Sequence, residues 1–256
     1  ELILRPYGTF SHPNVLAGYL VISMILIIFN FKFSMKSQFS ILNFKTLLFV
    51  ISLALGTIAL FLTMSRAAIL LWLFILIWWF IQFSIKSKFK KFNIKNSFQI
   101  GLLVVLVFIG SIFWLSPLRF RFSDIKLTDE SIIQRGELIK DSFLMIKSHP
   151  IFGVGLNNFL VELPLVHKQD SNVFYLQPVH NIYLLILAQT GIVGLIFFVW
   201  FLIKTYRFIN HKSYILILLT SVLTLGMFDH YFLTLQQGQL LFSFILGLCW
   251  AKSSRR

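Results

Sequence analysis

One cysteine, six prolines and nine acidic residues among 256 positions set the first limits. The cysteine, Cys249, lies in the last apolar run, which excludes a disulfide framework and a cysteine-based metal knuckle. Charged residues make up 12% of the chain. A soluble domain carries about a quarter, so an ordinary water-facing surface is missing. No Walker loop and no zinc-ligand spacing occur. The stretch FGVGLNNF from Phe152 lacks the third glycine of a dinucleotide fingerprint and follows a helical pattern instead of a strand. Its glycines read as turn formers after the break at Pro150.

Hydrophobic residues, in contrast, make up 57% of the chain, with thirty phenylalanines that read as lipid-facing and interhelical filler. A helix crossing the hydrocarbon core needs about 20 apolar residues, or about 17 at the short end. Runs suited to this occupy residues 15–31, 46–64, 67–83, 98–115 and 182–203, with two shorter ones at 214–228 and 240–251. The last lengthens backward through FLTLQQGQ if its glutamines face protein or a water-filled cavity. The expected fold is therefore an all-α, polytopic membrane bundle of about seven spans in a lipid bilayer. Four helices fall in 1–115, a long loop in 116–180, and three helices in 181–256.

The net charge of +14 does not point to nucleic acid, because the lysines and arginines are dispersed between the apolar runs. Lys32, Lys36 and Lys45 fall in the first connection, and Lys86, Lys88, Lys90, Lys91 and Lys95 in the third. Lys204, Arg207 and Lys212 fall in the fifth, and Lys252, Arg255 and Arg256 in the tail. None of these segments holds an acid. All nine acids, from Glu1 through Asp124, Asp129, Glu130, Glu137, Asp141, Glu162 and Asp170 to Asp229, fall on the opposite side. The positive-inside rule thus places the start of this chain outside, its end in the cytoplasm, and the 116–180 loop on the extracytoplasmic face. With no acidic pair on the cytoplasmic side to hold a metal-bound sugar nucleotide, a nucleotide-activated donor is disfavoured.

Within the loop, residues 131–148 carry an amphipathic helical pattern that Pro150 stops. At roughly 100° per residue, Ile132, Leu138, Ile139, Phe143, Met145 and Ile146 share one face, opposite Glu137, Lys140, Asp141 and Lys147. Arg135 falls inside the apolar arc. Either it snorkels from the helix edge, or it points inward at an anion such as phosphate, whose oxygens suit a planar guanidinium. Arg66 follows Ser65 in the two-residue connection between the second and third runs. It either anchors a helix end at the interface or binds phosphate with help from the positive end of the third helix. His180 and Asn181 stand where the loop re-enters the membrane, and Asp229 and His230 form a second polar pair at the outer end of the sixth run. A histidine in such a place is a cap, an interfacial residue or a proton carrier.

Four segments then stand out: RPYGTFSHPNVLAGYL from Arg5, TMSRAAILL from Thr63, QRGELIKDSFLMIKSHPIFGVGLNNF from Gln134, and HNIYLLILAQTGIVGLIFF from His180. In order, spacing and sidedness they resemble the O-antigen ligase and O-antigen polymerase superfamily of bacterial membrane glycosyltransferases. The resemblance implies a GT-C-like, metal-independent enzyme without cofactors in the cytoplasmic (inner) membrane. Such an enzyme transfers a glycan from undecaprenyl diphosphate to a hydroxyl of a glycan or lipid-linked acceptor during surface polysaccharide or lipopolysaccharide synthesis. It further implies that Arg66 and Arg135 hold the diphosphate and that His180 activates or orients the acceptor hydroxyl, with Arg5, Ser65, Asn181, Asp229 and His230 in support. Members of this superfamily usually have more spans, so helices of a longer protein are expected before Glu1. The aromatic residue often found after the loop arginine is replaced here by Leu138 and Ile139. The alternatives are a transporter or flippase of lipid-linked oligosaccharide, for which inverted repeats and broken helices are expected, and an inactive fragment.

Overall fold

The computed structural model describes residues 5–34, 44–89, 130–167, 176–209 and 213–251, and among these the chain is entirely helical or irregular. The fourth apolar run, 98–115, and the loop residues 116–129 lie outside the described residues. The chain divides into two compact units, Glu1–Asp124 and Ile125–Arg256.

The first unit contains α1 (Pro13–Ser34), α2 (Phe44–Leu62) and α3 (Arg66–Phe89), each touching the other two. Pro13 opens α1, where its fixed φ and missing N–H cost nothing. Ala17, Val21, Ile22, Met24 and Ile25 of α1 are buried together with Leu60 and Phe61 of α2 and Ile69 and Trp72 of α3. Trp72 and Thr57 are linked within this bundle, as an apolar surrounding demands of buried polar groups. Trp72 Nε1 donates to Thr57 Oγ1 at 3.2 Å, and Thr57 donates to the Leu53 carbonyl at 2.7 Å. On the outside, Leu48, Ile51, Leu55, Ile58 and Leu62 leave a helically spaced apolar stripe exposed along α2.

The second unit contains α4 (Glu130–Ser148), α5 (Phe159–Val166), α6 (Ile182–Phe208), α7 (Ser213–Gly226), α8 (Tyr231–Thr234) and α9 (Gln236–Trp250). The loop helices α4 and α5 pack on the first half of α6, through a core of Leu138, Met145, Phe159, Leu163, Val179, Leu185 and Ala188. The buried stripe of α4 is Leu138, Asp141, Ser142 and Met145, which corrects the face read from apolar residues alone. Phe143 is 56% and Ile139 40% exposed, whereas Asp141 is 6%. The helix is rotated toward Asp141 because His167, just past α5, meets that carboxylate with Nδ1 at 2.6 Å from Oδ2. Asp141→Ala is expected to destabilise the loop by about 1–3 kcal/mol through loss of a hydrogen bond to a charged group. The midpoint of thermal unfolding measures this, and an unchanged midpoint would show that the pair contributes nothing.

Helix α6 is not continuous. Gly191 sits at φ 64, ψ −168, so the helix ends at Thr190 and restarts at Ile192. The interruption strands the Ala188 and Gln189 carbonyls and the Ile192 and Val193 amides, which would otherwise bond to one another. Residues 150–155 supply all four partners. Val154 N and Gly155 N donate to the Ala188 and Gln189 carbonyls, both at 2.9 Å. Ile192 N and Val193 N donate to the Pro150 and Ile151 carbonyls at 2.9 and 3.3 Å. The loop is thus inserted as a replacement rung, and the glycines of FGVGLNNF do more than form a turn.

Among the described residues, two helical segments are long and apolar enough to cross a membrane, Pro13–Asn30 and the interrupted Ile182–Phe208, while Leu47–Leu62, Arg66–Trp79 and Tyr214–Gly226 are shorter apolar helices. Beyond the break, residues 192–208 extend roughly 25 Å at 1.5 Å per residue. Ile192, Ile196, Phe197, Val199, Trp200 and Ile203 are exposed there, a surface suited to lipid. The last span does not lengthen backward without interruption, because extended Leu235 (φ −109, ψ 134) separates α8 from α9.

Candidate functional site

His180 occupies the position before the N-cap of α6, and its surroundings follow from that cap. Asn181, with extended backbone, accepts from Tyr183 N at 2.9 Å and Leu184 N at 3.0 Å through its side-chain oxygen. This satisfies two of the donors that a helix N-terminus leaves open. The other half of the amide works across elements: Asn181 Nδ2 donates to the Met227 carbonyl at 3.1 Å, and Tyr183 Oη donates to the Leu223 carbonyl at 3.1 Å. The start of α6 is therefore pinned to the end of α7, and the residue ahead of one helix meets those following the other.

His180 and Asp229 meet at this point. His180 Nδ1 lies 3.4 Å from Asp229 Oδ1, and the same oxygen accepts from His230 N at 2.8 Å. The His180 and His230 rings sit 5.1 Å apart, tilted by 45°. Asp229 and His230 are buried, whereas His180 is only half-buried and keeps a solvent-accessible edge. Thr234, one helical turn along α8, holds the His230 ring in place. Its Oγ1 lies 3.2 Å from the His230 carbonyl and 2.6 Å from His230 Nδ1. Burial, and then the Asp229 carboxylate, push the phenol of Tyr231 well above its ordinary pKa, so this neighbour stays protonated.

The other sequence-derived residues are placed as follows. Arg135 is exposed on α4 in the second unit, not enclosed by it. In the first unit, Ser65 is buried, its carbonyl accepting from Ile69 N at 2.9 Å, and Arg66 opens α3 with its Nε buried. Arg5 serves this turn directly, as a positioning residue. Its Nε donates to the Thr63 carbonyl at 2.7 Å and its Nη2 to Asn14 Oδ1 at 3.0 Å. The turn needs such a hold because Met64 adopts a left-handed φ of 53. Thr234 and Tyr183 escape a search for reactive side chains. Thr234 is detectable from its i+4 spacing to His230, while the Tyr183 contact depends on how α6 meets α7.

The family model for O-antigen ligase matches residues 49–199, a segment that holds Arg66, Arg135 and His180 and stops short of Asp229 and His230. No curated protein and no solved structure matches the chain.

Proposed function

Because the chain belongs to the O-antigen ligase family, whose members are membrane-bound glycosyltransferase-like enzymes, we propose that it moves a glycan from undecaprenyl diphosphate to an acceptor hydroxyl. The transfer is placed on the outer side of the bacterial cytoplasmic membrane, in surface polysaccharide synthesis, with a glycan or lipid-linked acceptor. In the corresponding topology residues 116–180 form the extracytoplasmic loop, this chain starts outside, and it ends in the cytoplasm.

The observation that carries this reading is the His180–Asp229 pair, held at a capped helix start with an accessible edge on the histidine. With Nδ1–H directed at the carboxylate, His180 Nε2 has the lone pair that takes the acceptor's proton. The acceptor oxygen then bonds to the sugar's anomeric carbon as the bond from that carbon to the diphosphate oxygen breaks. Undecaprenyl diphosphate leaves with the electron pair. Its charge falls to the guanidinium groups of Arg66 and Arg135, the roles implied by the resemblance of their motifs, since fixed cations stabilise such a leaving group well. Asp229 orients the ring, His230 and Asn181 hold the backbone beside it, and Ser65 and Arg5 hold the turn ahead of Arg66.

A transporter reading draws on one observation, the broken helix α6. Broken helices of transporters offer their freed backbone groups to substrate. Here residues 150–155 occupy those groups, which favours the enzyme. The test uses cells that make the lipid-linked glycan but lack their own ligase or polymerase, scored for surface glycan. The unsubstituted protein restores it. Asp229→Asn, which removes a hydrogen bond to a charged group, lowers transfer by about 10- to 100-fold, and Arg135→Ala lowers it as well. Full restoration by both variants would sink the site.

A further inference from the structure

We propose that His180, Asp229 and His230 form a binding site for a zinc-class divalent ion, and that its occupancy takes His180 out of proton transfer. Each of the three residues offers one ligand atom, and these atoms lie within 4.8 Å of one another. Zinc bonds to nitrogen and carboxylate oxygen at about 2.0–2.2 Å, which puts neighbouring ligands of a tetrahedron roughly 3.3–3.5 Å apart. The 3.4 Å between His180 Nδ1 and Asp229 Oδ1 is long for a hydrogen bond and matches that edge. His230 carries the support that a metal-binding histidine needs. Its Nδ1 lies 2.6 Å from Thr234 Oγ1, a contact that orients the ring; with Nδ1 as the donor there, Nε2 is the coordinating atom. Two imidazoles and one carboxylate suit zinc, cobalt or nickel better than magnesium or calcium, which prefer oxygen.

Coordination through Nδ1 moves the single ring proton of neutral His180 to Nε2. The atom that takes the acceptor's proton in the proposed reaction then already carries one. The ion acts as an occluding ligand, and this consequence rests on the proposed function, whereas the binding itself does not.

The full chain, purified in detergent and stripped with a chelator, is titrated with cobalt and then zinc. One equivalent of cobalt should produce the strong visible absorption of a tetrahedral site, and zinc should abolish it. His180→Ala and His230→Ala should each weaken binding by at least about 100-fold, and Thr234→Val, which keeps all three ligands, by about 10-fold or more. His149→Ala and His167→Ala should bind as the unsubstituted chain does. The site is overturned if no one-equivalent absorption develops, or if His180→Ala and Thr234→Val bind with undiminished affinity. In the transfer assay, zinc should inhibit and a chelator should restore activity. Ligand-dependent binding with transfer indifferent to zinc would leave the site standing and overturn the role of His180 in the reaction.

Discussion

Replacing His180 with alanine is expected to lower glycan transfer by about 100- to 10,000-fold, the range ordinarily lost with a general base. The fold should survive the change. The side chain is half-buried and is not part of the Asn181 cap, whose bonds to Tyr183 N, Leu184 N and the Met227 carbonyl stay intact. Asp229 retains the amide of His230 as a donor. Loss of transfer should therefore come without loss of protein from the membrane or a large drop in the unfolding midpoint. Added imidazole distinguishes a missing base from a disturbed site. It should restore part of the activity of His180→Ala and none of the activity of Asp229→Asn, in which the histidine still fills the position. Undiminished transfer by His180→Ala would remove the residue from the chemistry.

Sequence patterning reaches some of this architecture and stops short of the rest for identifiable reasons. Apolar runs of helical length mark α1, α2 and α3, and the starts of α6 and α7, because hydropathy and length report burial in lipid or protein directly. The break at Gly191 does not end the apolar run, since LAQTGIVG carries no charge and the polar Gln189 and Thr190 are flanked by apolar residues on both sides. Its cause lies in a loop far upstream whose backbone supplies the missing bonds. A wheel count on α4 weighs apolar residues alike and selects Phe143 and Ile139, whereas the buried side is set by a polar contact, His167 with Asp141. At the site, each polar pair is visible by itself: His180 with Asn181, Asp229 with His230. Their meeting is a property of how α6 docks on α7 through Asn181, Tyr183 and the carbonyls of Met227 and Leu223. No spacing along the chain encodes that contact.

The largest loss of stability is expected from Gly191→Ala, and the argument runs through the same inserted loop. The backbone at φ 64, ψ −168 belongs to a region essentially reserved for glycine, and forcing a side chain into it costs of order 1–3 kcal/mol. A Cβ there would also run into the carbonyl of Ile151, which is backbone and cannot rotate away. Relief requires residues 150–155 to withdraw from α6, which breaks the four bonds that join the two segments and leaves the amides of Val154 and Gly155 and the carbonyls of Pro150 and Ile151 without those partners. Strain and lost bonds together should reach about 4 kcal/mol or more, at the exceptional end for a single substitution. Gly153→Ala should behave similarly, because φ is 69 and its Cβ would meet the backbone of Gln189 and Thr190 from the opposite side. Gly136→Ala is the matched control: nothing lies within 4 Å of its Cβ, and alanine in a helix is favoured over glycine by up to about 1 kcal/mol. Limited proteolysis at residues 150–155 provides the measurement, with membrane abundance as a second readout. Cleavage should accelerate in Gly191→Ala and Gly153→Ala and slow or stay constant in Gly136→Ala. Equal protection in all three would mean that the loop is not inserted into the break. It would then not hold α4 and α5 against the helix that follows His180, and transfer should survive Gly191→Ala.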